Sequence, residues 1–125
     1  MPWELKPDRP IYAQLIEQLQ LLVISGIYPP GSKLPSVREL AAEASVNPNT
    51  MQRALAKLED EGLLFSQRTS GRFVTEDAGR IVQTKRDLAE KLTREFLGNM
   101  GRLGYDARGA VSLLERITKE EEQNG

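Results

Sequence analysis

Two short amphipathic helices separated by only three residues dominate the first half of the sequence. Ser36 is a suitable N-cap for the first helix, and Glu39 follows three residues later, so together they predict a capping box. Asn47 is a suitable cap for the second helix, Pro48 fits its first position, and Gly62 fits its C-terminal end. Because helices joined by so short a turn must bury their apolar faces against each other, this segment predicts a helix-turn-helix.

An amphipathic helix is predicted before this pair, and a hairpin after it. Apolar residues at three- and four-residue spacing begin at Ile11, and the glycine- and proline-rich residues 25–31 end the pattern. Beyond the second helix the period changes to that of two short strands, at residues 63–66 and 72–75, with turn-forming residues between them. We therefore expect residues 1–76 to form a winged helix-turn-helix, in a fold that is mainly α with a small β wing.

Helical spacing returns at Ala78 and predicts a longer helix with one apolar stripe. Asp106 is a suitable cap for a last helix, and the polar tail at residues 120–125 is expected to be frayed and solvated. Three glycines are expected to break the longer helix, namely Gly98, Gly101 and Gly104.

The apolar stripe of the longer helix needs a partner surface, and the last helix is too short to cover it. A second copy of the chain, related by a two-fold axis and supplying the same stripe, is the simplest partner. We therefore expect residues 77–125 to be a two-helix dimerisation region of a homodimer. The predicted interface residues are Ile81, Leu88, Leu92, Phe96, Met100, Val111 and Leu114.

The composition excludes several classes of protein. None of the 125 residues is Cys or His, which removes disulfides, zinc sites of thiolate or imidazole, cysteine nucleophiles and histidine-based triads. No nucleophile–base pair, paired-carboxylate site or cofactor loop is recognisable, so we expect no enzyme activity, cofactor or metal site. The longest apolar run, residues 21–24, is far shorter than the ~20 residues of a membrane-spanning helix, and no signal peptide is visible. We therefore expect a cytoplasmic protein without a membrane partner.

Charge is unevenly distributed along the chain, although 17 basic and 18 acidic residues nearly balance. Residues 44–58 cover the turn and most of the second helix and contain no Asp or Glu. Residues 62–75 cover the hairpin, are also free of acidic residues, and carry Arg68 and Arg72. Because a nearly neutral DNA-binding protein must concentrate its positive charge on one face, these segments favour double-stranded DNA as the partner.

Several motifs in the right order resemble the GntR family of transcription regulators. The sequences PGSKLPSVRELA at residues 30–41, NTMQRAL at residues 49–55 and EGL at residues 61–63 resemble the family's signature. The sequences PIY at residues 10–12 and GIYPPG at residues 26–31 resemble in particular its short YtrA subfamily. The chain that follows the wing is too short for the family's larger effector-binding domains. The resemblance therefore implies the YtrA arrangement, in which a helical pair mainly dimerises.

The resemblance implies a role in DNA binding for ten residues. Arg38 matches the family's DNA-contacting arginine, the second helix of the motif would lie in the major groove, and the hairpin would be a wing in the minor groove. Gln52 is able to form two hydrogen bonds with adenine, as arginine does with guanine. The family further implies a homodimer that binds a palindromic operator and acts as a repressor. The ten residues are Ser36, Arg38, Asn47, Asn49, Thr50, Gln52, Arg53, Arg68, Thr69 and Gly71.

The sequence departs from the family's pattern at four positions. Pro48 and Gln52 stand where other members often carry arginine, so the preferred DNA sequence does not transfer to this chain. Thr69 stands where the tip of the wing often has glycine. Ser45 stands where many helix-turn-helix motifs have glycine, so it must adopt a positive φ unless the turn relaxes.

Some roles stay open at this point. Arg53 either contacts DNA or pairs with a nearby carboxylate (Glu39, Glu43 or Glu59), and an outward position on the second strand is the simplest interpretation of Arg72. A small-molecule effector bound between the short helices and the winged helix would make the chain a ligand-responsive switch, but no residue identifies such a site. A protein-interaction module that kept the scaffold without binding DNA is the other alternative. The two acid-free segments argue against it.

Overall fold

The computed structural model describes residues 3–125 and confirms a mainly helical fold with a small β wing. Two compact units are present; one ends at Arg86 and the other spans Asp87–Gly125. The elements described are helices α1 (Ile11–Ile24), α2 (Val37–Ala44), α3 (Pro48–Asp60), α4 (Ala78–Arg102) and α5 (Ala107–Asn124), with strands β1 (Leu64–Gln67) and β2 (Gly71–Val74).

The core of the first unit lies between α1, α2, α3 and the base of the wing. The periodic apolar residues of the three helices all point into it, which is why each helix has one buried stripe and one polar face. The N-terminal lead covers part of this core through Trp3 and Leu5. The largest fully buried side chains are Leu15, Leu19, Leu40, Met51, Leu55, Leu58, Leu63 and Val74.

Local hydrogen bonds fix both helices of the helix-turn-helix, as the sequence predicts. The Ser36 hydroxyl accepts from the Glu39 N–H at 3.2 Å, and the Glu39 carboxylate accepts from the Ser36 N–H at 3.3 Å, which completes the capping box. The Asn47 side chain accepts from the Asn49 N–H at 2.8 Å and caps α3, with Pro48 in the first turn. The beginnings of α2 and α3 are therefore set by residues within three positions of each cap.

The turn between α2 and α3 depends on one strained residue. Ser45 lies in the left-handed region at φ 56° and ψ 47°, which confirms that this position needs a positive φ. The left-handed turn lets the Val46 N–H donate to the Ala41 carbonyl at 3.0 Å, so a free carbonyl at the end of α2 is satisfied. Ser45 thus sets the angle at which α3 leaves α2.

The wing is a hairpin with a third segment paired to it. Strands β1 and β2 are antiparallel, with Phe65 opposite Phe73. On the other edge of β2, the Leu34 N–H donates to the Arg72 carbonyl and the Val74 N–H donates to the Ser32 carbonyl, each at 2.9 Å. The connector between α1 and α2 therefore pairs with the outer edge of β2 through a short bridge at Lys33.

The predicted strand boundaries are wrong by one residue at each end. Residues 63–66 were expected in the first strand, but β1 is Leu64–Gln67 and the paired second strand, β2, is Gly71–Val74. Leu63 instead belongs to the turn that follows α3, because its N–H donates to the Leu58 carbonyl at 3.0 Å once Gly62 adopts a φ of 79°. The turn is consequently shorter than predicted and consists of residues 68–70.

Two predictions about the second half of the chain are also wrong. Gly98 and Gly101 lie inside α4, and only Gly104, at φ 95°, belongs to the turn that ends it. A glycine inside a helix costs only about 1 kcal/mol relative to alanine, which does not break a helix of this length. The tail is not frayed, since α5 continues to Asn124. The Glu, Lys and Gln residues in the last turns of α5 are good helix formers, and Arg116 pairs with Glu120 one turn later.

The second unit has very little core of its own. In residues 87–125, all of which the structure describes, only Leu88 and Ala110 are buried. Asp106 caps α5 by accepting from the Gly109 N–H at 2.8 Å, which confirms the predicted start of that helix. Large apolar side chains between 37% and 52% exposed remain along both helices, namely Leu92, Phe96, Leu97, Val111, Leu114 and Ile117.

Candidate nucleic-acid interface

The exposed side of α3 carries hydrogen-bonding side chains near its beginning. Asn49, Gln52 and Arg53 are exposed and Thr50 is half-buried, while the opposite side of the helix is fixed in the core. We call these four residues the donor face of α3. The sequence predicts DNA contacts for all four, and the structure places them together because residues 49, 50, 52 and 53 lie within about one turn and a half of a helix.

The N-terminal turn of α2 contributes two further predicted residues. Ser36 and Arg38 are both exposed. The Ser36 hydroxyl already accepts the capping hydrogen bond from Glu39, so its own hydrogen is the part left for another acceptor. The Asn47 oxygen is likewise used as a cap for α3, which leaves the amide NH₂ of Asn47 as its free donor.

Arg53 makes a contact that the sequence did not indicate. Its guanidinium carbon lies 4.5 Å from the centre of the Tyr12 ring, in cation–π geometry. The carboxylate of Glu59, one of its suggested partners, is bound by Arg72 instead. The stacking positions a positive charge at the edge of the donor face, and α1 therefore helps to shape that face through Tyr12.

Arg72 joins the wing to α3. Its Nε donates to Glu59 Oε1 at 2.5 Å, and its Nη1 donates to Gln52 Oε1 at 3.1 Å. Ser66, opposite Arg72 in the hairpin, donates its hydroxyl to the same Glu59 oxygen. Arg72 is thus not the plain outward strand residue that its position suggested. The register of the hairpin is a signal that could have indicated this contact, since it places Arg72 opposite Ser66, a few residues after the end of α3.

The electrostatics of this cluster keep Glu59 ionised. Burial alone would raise the pKa of the Glu59 carboxyl, but hydrogen bonds from Ser66 and Arg72 and the positive charge of Arg72 outweigh burial and lower that pKa below its ordinary value. A carboxylate that lies between α3 and the wing is therefore neutralised by a wing arginine. Its negative charge is compensated locally before any phosphate approaches.

The tip of the wing exposes Arg68 and Thr69, as the sequence predicts. Gly71 has a φ of 105°, which favours glycine, whereas a Cβ there would lie 3.1 Å from Cε of the exposed Lys33 side chain, which is able to shift away. Lys33 forms an antiparallel backbone bridge with Phe73 of β2, and its side chain is exposed near the tip of the wing. Sequence reasoning missed Lys33, because its place beside the wing follows from the pairing of residues 32–34 with β2.

The predicted dimer residues differ in how far they are exposed. Ile81 packs against the core of the first unit, and Leu88 is buried. Met100 is half-buried. The exposed members are Leu92, Phe96, Val111 and Leu114.

The match of residues 11–74 to a known family decides the identity of this scaffold, since they fit the profile described as "Bacterial regulatory proteins, gntR family". The chain belongs to the GntR family. It is 41% identical over 113 residues to the HTH-type transcriptional repressor YtrA of Bacillus subtilis, which covers 90% of this chain and 82% of that protein. The resemblance to the YtrA group seen in the sequence is thereby confirmed. Membership of the GntR family also agrees with the prediction that the chain is a regulatory protein and not an enzyme.

Solved structures agree with the GntR assignment along most of the chain. A GntR family transcriptional regulator from Listeria monocytogenes superposes with a TM-score of 0.79 at 37% identity, covering 90% of this chain and 98% of that one. The DNA-binding domain of AraR in complex with operator ORX1 has a TM-score of 0.51 at 30% identity, and covers 60% of this chain and 92% of that one. Across residues 3–125, no helix is long and apolar enough to cross a membrane.

Proposed function

We propose that this chain is a sequence-specific transcription regulator that binds double-stranded DNA through the donor face of α3 and the wing. The observation that carries the proposal is the largely exposed donor face of α3, a helix whose carboxylate Glu59 is already neutralised by Arg72 of the wing. A helix of this size fits the major groove, where such side chains read base edges. The AraR DNA-binding domain, which resembles the first unit, is described in complex with its operator.

Individual contacts follow from exposure and chemistry. Gln52 and Asn49 of α3 are assigned to base edges, while Thr50 and Ser36 are suited to phosphates, which fix the register without reading sequence. Arg38 lies at the beginning of α2, where a long cationic side chain can reach the duplex. Arg68 and Lys33 supply positive charge at the tip of the wing, which is assigned to the adjacent minor groove.

Selection of bound duplexes from a random DNA pool at about 0.15 M salt tests this function directly. We expect enrichment of a two-fold symmetric site that is bound at least ~10³-fold tighter than random DNA, with affinity falling steeply as salt rises. Failure to enrich any sequence, together with affinity that does not depend on salt, would favour a protein-interaction module on the same scaffold.

The regulator is proposed to act as a homodimer formed by the second unit. Within the second unit, six large apolar residues of α4 and α5 are more than a third exposed, and that unit has almost no core to stabilise it alone. Apolar faces of this kind mark an interaction site, and a second copy is the partner that a two-fold operator requires. Leu114→Asp is expected to shift the protein from dimer to monomer in sedimentation velocity. Leu21→Asp changes a leucine of similar exposure on α1 and should leave a dimer. A fully dimeric Leu114→Asp protein would contradict the proposed interface.

Repression is the direction of control that we propose, since the relative YtrA is named a repressor. A dimer bound over a promoter blocks access to it, and this would take place in the cytoplasm. Transcription in vitro from a template with the selected site across the promoter should fall as protein is added. The same template with the site scrambled is the control, and a rise in transcription would indicate an activator.

A further inference from the structure

Gln52 is not a free side chain on the donor face, although it is exposed. Its side-chain oxygen accepts a hydrogen bond from Arg72 Nη1 at 3.1 Å. Arginine has only donors, so the atom of Gln52 that faces Arg72 must be the oxygen and the NH₂ group must lie on the other side of the amide. The orientation of the Gln52 amide is therefore fixed by the wing.

Arg72 is itself held firmly enough to impose this orientation. Its guanidinium donates through Nε to Glu59 and through Nη1 to Gln52, and its side chain is only 17% exposed. Glu59 is held in turn by the Ser66 hydroxyl. Because the guanidinium is planar, two hydrogen bonds on different nitrogens fix both its position and its plane.

The fixed amide changes what Gln52 is able to read. A bidentate contact with adenine needs both the oxygen and the NH₂ of glutamine to face the base, because adenine offers N7 as acceptor and N6 as donor. Guanine offers two acceptors, N7 and O6, so the NH₂ alone is sufficient. With its oxygen turned toward Arg72, Gln52 presents donors to the groove and satisfies guanine better than adenine.

We propose that Arg72 is a positioning residue that presets Gln52 as a hydrogen-bond donor, so that Gln52 selects guanine over adenine in each half-site. The inference rests on the proposed function and adds to it the base that Gln52 recognises. The sequence alone predicted that Gln52 would bind adenine, whereas its fixed orientation favours guanine. The wing therefore contributes to readout in the major groove as well as to contacts at its tip.

The test compares the base preferences of wild-type and variant proteins by selection from one DNA pool. The Gln52→Ala variant first identifies the operator position that Gln52 reads, as the position at which preference is lost. Wild-type protein should prefer guanine over adenine there by about tenfold or more. Arg72→Met should free the amide, and the preference should fall to within about threefold or pass to adenine.

Three further variants separate positioning from mere support of the fold. Arg72→Lys keeps a positive charge to pair with the Glu59 carboxylate, but it lacks the second guanidinium nitrogen that binds Gln52. We therefore expect near-normal thermal stability together with the altered base preference. In a Gln52→Ala background, Arg72→Met should cause no further change at this position, because Arg72 acts through Gln52. Arg68→Met removes another wing arginine and should weaken binding to all sequences without changing the preference.

The outcomes distinguish this inference from the proposed function. If wild-type protein enriches an operator with adenine at the Gln52 position, or if Arg72→Met and Arg72→Lys keep the guanine preference, the inference is overturned while DNA binding stands. If wild-type protein enriches no operator, the proposed function fails and the inference fails with it.

Discussion

Replacing Ser45 with glycine is expected to stabilise the protein, because Ser45 holds a left-handed conformation that disfavours any side chain. Its φ of 56° and ψ of 47° place Cβ close to the following carbonyl. That conformation costs a non-glycine residue about 1–2 kcal/mol. Glycine removes this strain but has more freedom in the unfolded chain, which costs about 0.5–1 kcal/mol. The midpoints of these two ranges leave a net expected gain of about 0.75 kcal/mol.

Thermal unfolding at a fixed protein concentration measures this effect. For a chain of this size, the expected gain corresponds to a rise in Tm of about 2–4 °C. Protein concentration must be matched, since the Tm of the proposed dimer would depend on it. Operator affinity should stay unchanged, because Ser45 is exposed and the turn keeps its shape.

Ser25→Gly is the matched control for this prediction. Ser25 is also an exposed serine at the end of a helix, but its φ of −77° is one that serine adopts freely. Glycine there adds freedom to the unfolded chain and relieves nothing, so we expect a loss of about 0.5–1 kcal/mol. If the two variants shift the Tm in the same direction, the strain assigned to Ser45 is refuted.

Three other predictions concern DNA binding and pH. Arg38→Ala should cost about 1–3 kcal/mol in operator affinity and relax the preference at one base pair, as measured by titration at one salt concentration; wild-type affinity and specificity would remove Arg38 from the interface. Lys33→Ala should reduce the slope of log affinity against log salt by about one unit, and an unchanged slope would show that Lys33 meets no phosphate. Glu59 has a lowered pKa when folded, so its contribution to stability is present above the ordinary glutamate pKa and is lost as pH falls through the folded pKa. Urea unfolding should therefore show Glu59→Gln about 1 kcal/mol less stable than wild type near pH 7, with the difference shrinking as pH falls below the ordinary glutamate pKa, whereas a difference that stays constant in acid would point to packing.

The sequence was sufficient for features that depend on neighbours along the chain. The capping box of Ser36 and Glu39 and the cap at Asn47 were predicted, and the positive φ of Ser45 was one of two alternatives for that turn, because each involves residues within three or four positions. The donor face of α3 also followed from helical periodicity. These short-range rules are enough to recognise the helix-turn-helix scaffold.

Features that join distant elements could not be predicted. Arg72 and Gln52 are 20 positions apart, and their contact depends on how the wing folds back on α3. The stacking of Arg53 on Tyr12 crosses from α3 to α1 in the same way. Gly98 was assigned as a helix breaker from its local propensity, yet the cooperativity of a long helix outweighs one such residue.

The pairing of residues 32–34 with β2 has a consequence for the thermodynamics of binding. Fixing the backbone of one residue costs about 1–2 kcal/mol in conformational entropy. If the wing became ordered only on binding DNA, this cost would make the free energy of binding less favourable. Here β2 is hydrogen-bonded on both edges before any duplex arrives, to β1 on one side and to Ser32 and Leu34 on the other. Only the three residues of the tip, 68–70, are left to lose freedom. Association should therefore have a small entropic penalty from the wing, and the strength of the complex should reside mainly in its contacts.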